Sequence, residues 1–125
     1  MAVSREKALY FEPGDTVRNA LVKSVLIRMG IRIRPVAPEE IGQTVGFLLG
    51  RKDFAARQQA ETAVLDAPLL VLDGLTDQRL NVLLREMKKA GAAVSYKAVA
   101  TETNLGWLLY QLYEELAAEH EAMQS

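Results

Sequence analysis

The chain has no cysteine and a single histidine, His120. Without thiols there is no disulfide framework, no thiolate metal site and no cysteine nucleophile, and one imidazole cannot build a multi-histidine zinc site or a histidine-based triad. Long hydrophobic runs are missing too. The start, Met1-Ala2-Val3-Ser4-Arg5-Glu6-Lys7, is polar, and the apolar runs after it are too short for a leader or a bilayer span. The expectation is a cytoplasmic protein with no metal and no membrane contact. The patterns G-x-x-x-x-G-K-[ST], G-x-G-x-x-G after a strand and G-x-S-x-G do not occur, so no cofactor is expected and serine-hydrolase chemistry loses its usual support. Arg28, Arg32 and Arg34 form a basic cluster with no interleaved aromatics, on a chain of pI near 5.9. No nucleic-acid partner is expected from such a pattern.

What is present suits one α/β domain over residues 1–125, half hydrophobic and a quarter charged, with a first half to residue 50, a connector over 51–67 and a second half from 68. Residues 1–60 hold ten Lys or Arg against six acids, and residues 61–125 hold five against ten. Two halves of opposite sign can attract each other within one fold, or leave a basic face for an anionic partner.

Hydrophobic period alternates along the chain. Ala8 to Glu12 reads as a strand stopped by Pro13-Gly14. Asp15 or Thr16 caps a helix with apolar residues at 17, 20, 21, 25 and 29, closed by Gly30. Ile31 to Arg34 alternates as a second strand. Pro38, Glu39 and Glu40 open a second helix that runs to Gly50, with Gly42 and Gly46 spaced for close packing. Pro68 to Gly74 is apolar on both faces, like a central parallel strand. Thr76 caps a helix carrying Leu80, Leu83, Leu84 and Met87. Val94 to Ala100 is the fourth strand, and a helix from Leu105 to about Ala122 follows.

Four strand-helix units imply a mainly parallel sheet with helices on both faces, a three-layer domain. Cations and proline protect sheet edges, which sends the second strand (Arg32, Arg34, Pro35) and the fourth (Lys97) outside and gives the order 2-1-3-4, flavodoxin-like without a fifth strand. In that arrangement the crevice lies at the strand C-termini and collects Glu12, Gly14, Asp15, Asp73 and Gly74, with Thr101, Thr103 and Asn104 on the same rim.

The densest cluster is Lys97 to Trp107. Backbone N–H groups at the start of the last helix, joined by Thr101, Thr103 and Asn104 with Lys97 nearby, suit a carboxylate or phosphate. A simpler reading is an ordinary cap, which leaves Asn104 spare. Trp107 and Tyr110 flank the leucine stripe, as loop cover or as interface anchors. Glu114, Glu115, Glu119 and Glu121 oppose the negative end of their helix dipole. The Arg-rich half or a second subunit would relieve them.

Two resemblances follow. Leu69-Leu70-Val71-Leu72-Asp73, with Glu12 and Asp15 after the first strand and Thr101 ending the fourth, resembles a response-regulator receiver domain. This implies phosphate acceptance at Asp73 and magnesium at the first-strand acids. The chain departs from that family where Pro13-Gly14 splits the acids and where no fifth strand carries the lysine. Residues 68–121, through Lys97, Ala98, Thr101, Asn104 and Trp107 at fixed spacing, resemble a small bacterial family designated a domain of unknown function, which implies no activity. The expected function is a non-enzymatic module that binds a protein partner, a second copy or a small anion; the alternative is an enzyme of a small acidic substrate using Lys97 with Asp73 or Glu12.

Overall fold

The computed structural model describes residues 5–57, 65–92 and 94–124. Strands β1 (Lys7–Phe11), β2 (Arg32–Pro35), β3 (Leu69–Asp73) and β4 (Tyr96–Val99) form one sheet in the order β2-β1-β3-β4. Helices α1 (Thr16–Arg28) and α3 (Asp77–Ala90) cover one face. The short α2 (Val45–Leu48) and α4 (Leu109–Gln124) cover the other. Side chains alternate across β1 accordingly: Ala8 and Tyr10 enter the α1/α3 core, Leu9 and Phe11 the α2/α4 core.

The order is as expected, but the sheet is mixed. β1 runs parallel to β2 and β3 parallel to β4, whereas β1 and β3 are antiparallel, with Lys7 opposite Asp73 and Phe11 opposite Leu69. The reversal comes from the segment between β2 and β3, which crosses the sheet twice. After β2 the chain descends through α2 until the Leu49 carbonyl accepts from Lys7 Nζ at 2.8 Å and Arg51 meets Asp73 at 2.9 Å. It then returns past Arg57, whose backbone bonds Gln43, to start β3 beside Phe11. A single crossover helix would have delivered β3 parallel. Residues 58–64 of the proposed connector lie outside the described residues.

Local signals explain most boundaries. Asp15 accepts from the Arg18 N–H and caps α1; Thr76 accepts from the Arg79 N–H and caps α3, which ends on Gly91 at φ 70°. The helix expected from Pro38 to Gly50 is instead a 3-10 turn, Pro38–Glu40, followed by α2 capped by Thr44. The interruption lies at Gly42-Gln43, where the Gln43 carboxamide bonds the Arg57 backbone. Gly46 is tight for a related reason: a Cβ there would come within 2.4 Å of the Phe54 ring. The last helix also starts later than Leu105, because Asn104–Gly106 is a 3-10 turn and Trp107 is extended. In α1 the buried residues are Val22, Val25 and Leu26, whereas Val17, placed on the expected apolar face, is 68% exposed.

The element order runs twice: strand, helix, strand, 3-10 turn, helix. With β1 and β3 antiparallel at the centre, the halves are related by an approximate two-fold axis. The hydrogen bonds repeat it. The Val45 N–H donates to the Trp107 carbonyl and the Leu109 N–H to the Gln43 carbonyl, each at 2.9 Å, around a Thr44–Leu108 bridge. The Ala37 N–H donates to the Glu40 side chain at 2.9 Å, and the Thr101 N–H to the Asn104 side chain at 2.8 Å. Gly30 and Gly91 close α1 and α3 with positive φ.

Candidate functional site

Reversing β3 dissolves the expected crevice. Glu12 follows the C-terminal end of β1, while Asp73 ends β3 at the opposite end of the sheet. Thr101 and Asn104 share an end with Asp73, not with Glu12. The receiver-like set of Glu12, Asp15 and Asp73 is therefore not assembled. Among the described residues, no three of His, Cys, Asp or Glu come together to hold a metal ion, and no helix is long and apolar enough to cross a membrane.

Each acid proposed from the sequence is already engaged. Asp73 takes Arg51 through both oxygens at 2.9 and 3.0 Å. Glu12 accepts from Arg18 Nε and Nη2 at 2.7 Å each, from the Tyr10 hydroxyl at 2.7 Å, and from the Gly14 and Asp15 N–H groups at 3.1 Å. It fills the backbone pocket that an external anion would need. The Arg18 bond, helped by Tyr10 and the two amides against the cost of burial, holds the Glu12 carboxyl down at about 2. Burial, then the Glu12 carboxylate, pushes the Tyr10 phenol up.

This depression makes a pH prediction. A folded value below the ordinary 4.5 means that Glu12 stabilises fully above that pH and loses its contribution as pH falls from about 4.5 towards 2. The wild type should lose about 2 kcal/mol more than Glu12→Gln over that interval in urea titrations. Equal losses in the two proteins would show that the cluster contributes nothing.

At the other end, Asn104 is 7% exposed and occupied. Its Oδ1 accepts from the Thr101 N–H at 2.8 Å, its Nδ2 donates to the Val99 carbonyl at 3.0 Å, and its own N–H donates to Thr101 Oγ1 at 3.1 Å. The side chain expected to be spare clamps the β4–α4 loop. Thr101 and Thr103 are exposed, and Thr103 makes no side-chain cap bond. Lys97 is exposed on the edge strand β4, with Nζ donating to the Val94 carbonyl.

The two-fold relation separates what the fold needs from what one half adds. Glu40 performs in the first half the loop clamp that Asn104 performs in the second. The counterpart of Trp107 is Gln43, buried and bonded twice to Arg57. Among the described residues the Trp107 side chain makes no such bond. It packs partly on the α2/α4 core, as Tyr110 does, and its remaining surface opens on a cleft of about 450 Å³ with Gln111, Glu114 and Glu115. Gln111 Oε1 accepts from the Leu108 N–H at 2.9 Å and fixes that turn. Among the described residues, no ion pair reaches Glu114, Glu115, Glu119 or Glu121, so the relief expected from the Arg-rich half is not found there. Arg18, Arg34 and Arg51 are committed to Glu12, Glu40 and Asp73. Arg79 in turn pairs Glu6, so among the described residues Arg51–Asp73 joins a base of the first half to an acid of the second, whereas Arg79–Glu6 runs the other way.

No curated protein and no solved structure matches the chain. The model of a family described as a domain of unknown function (DUF3783) matches residues 68–123. The matched stretch is the second β-α-β unit with its 3-10 turn and α4, so the segment similar to that family is the half that carries Asn104 and Trp107.

Proposed function

We propose that the protein is a non-enzymatic interaction module whose contact centre is Trp107 beside Glu114 and Glu115. The observation that carries this reading is the partly exposed indole facing an open cleft with two carboxylates that make no ion pair among the described residues. Aromatic anchors with a polar rim are the usual energetic centre of protein interfaces, and an indole face beside carboxylates suits Arg or Lys. The anion reading has less support, since Asn104 and Glu12 fill the relevant N–H groups themselves. The enzyme reading has less again, because Glu12 and Asp73 are tied to arginines at opposite ends of the sheet.

The test is calorimetric titration with the peptide Gly-Arg-Gly-Lys-Gly-Arg-Gly and with its Glu-substituted counterpart. Binding of the basic peptide should weaken by about tenfold or more in Trp107→Ala, the loss expected of an interface anchor. Equal affinity of wild type and Trp107→Ala, or preference for the acidic peptide, would refute the reading.

A further inference from the structure

The edge strand β4 presents a second surface, on the opposite face of the sheet from Trp107. Among the described residues β4 has only β3 as neighbour, so half of its backbone N–H and C=O groups point away from the sheet. Lys97 and Val99 lie opposite Leu70 and Leu72 and therefore share the α1/α3 face. Both are exposed beside α3. Val99 is 44% exposed and Leu84 of α3 36%. Between strand and helix runs a groove of about 310 Å³, floored by Met87 and Val94 and edged by Lys88 and Lys97. A lysine on an open edge is a common guard against unwanted pairing, and that alone would explain Lys97. It does not explain an exposed valine and leucine beside an apolar groove.

We infer that β4 and this groove accept an extended segment of a partner protein, added as a fifth strand, with an apolar residue and an acidic residue two positions apart on the α3 side. Residues i and i+2 of a strand share a face, so one apolar side chain meets Leu84 and Val99 while the acid meets Lys88 and Lys97. The outward backbone groups supply affinity and the two side-chain positions supply selectivity, as in other strand additions. Among the described residues Lys88 makes no ion pair, and Lys97 is held only by the Val94 carbonyl. Charge complementarity thus selects an acidic segment.

The probe is fluorescein-labelled Thr-Val-Thr-Glu-Thr-Val-Thr, titrated with the full chain and followed by anisotropy. Saturable binding is expected, weakened about tenfold when Lys replaces the peptide's Glu, a single charge-pair reversal. The double variant Lys88→Glu, Lys97→Glu should invert the preference, and amides of Tyr96–Val99 should gain hydrogen-exchange protection on binding. Trp107→Ala should bind this peptide as the wild type does, which separates the groove from the proposed α4 surface. Absence of saturable binding, or a preference unmoved by the charge reversal, would overturn the inference. So would sedimentation showing a concentration-dependent dimer that Val99→Asp abolishes, since the occupant would then be a second copy.

Discussion

Replacing Asn104 with Ala lowers stability by about 2 kcal/mol, because a buried side chain that ties the Thr101 N–H to the Val99 carbonyl is lost and both groups forfeit that partner. Thr103→Ala, one residue away, stays within about 0.5 kcal/mol of the wild type, as surface changes without a lost bond do. Both are read from urea midpoints at constant slope. Asn104→Asp separates the two bonds: it keeps an acceptor for the Thr101 N–H but sets a carboxylate against the Val99 carbonyl, and it should recover little of the loss. A neutral Asn104→Ala would mean that the loop holds its shape without the clamp and would return this amide to the candidates for ligand contact.

Gly74→Ala carries the largest expected effect, about 3 kcal/mol. Gly74 sits at φ 84°, where an L side chain costs about 1–2 kcal/mol. A Cβ there would also stand 2.5 Å from the Arg5 carbonyl oxygen, so the backbone entering β1 would have to move. Gly14, in the loop after β1, has no atom within 4 Å of the same added carbon and no positive φ. Gly14→Ala should therefore be neutral or stabilise by up to about 1 kcal/mol through the unfolded state. Similar thermal midpoints for the two alanine variants would show that the turn after β3 relaxes freely.

The contrast between these glycines shows which parts of the molecule could be read in the sequence. Caps at Asp15 and Thr76, the left-handed Gly30 and the edge positions of β2 and β4 are local or compositional features, and they emerged as expected. Strand direction was not legible. Leu69 to Leu72 are buried on both faces, and a strand of that kind reads alike in either direction. Its orientation depends on the double pass that includes residues 44–57, and the later part, 51–57, belongs to the connector, where the apolar stripe is too sparse to assign an element.

The site followed the same division. Lys97, Thr101, Asn104 and Trp107 stood out because polar and aromatic types were crowded at one junction, yet their separate roles depended on partners far along the chain or hidden in the backbone. The internal repeat is faint in sequence: in the register of the mirrored bonds, Val36-Ala37-Pro38-Glu39-Glu40 stands against Ala100-Thr101-Glu102-Thr103-Asn104 without one identical residue. It became usable only through mirrored bonds such as those of Gln43 and Trp107. Gln43 faces inward and Trp107 outward, a difference that no residue pattern encodes.

Trp107 is the only tryptophan, so its emission reports the proposed contact surface without a label. Titration of the full chain with Gly-Arg-Gly-Lys-Gly-Arg-Gly should change that emission saturably, and Glu114→Gln with Glu115→Gln should weaken the midpoint by about tenfold, in line with lost charge complementarity. Emission that stays constant at every peptide concentration, or a midpoint indifferent to the two glutamates, would contradict an interaction centred on Trp107.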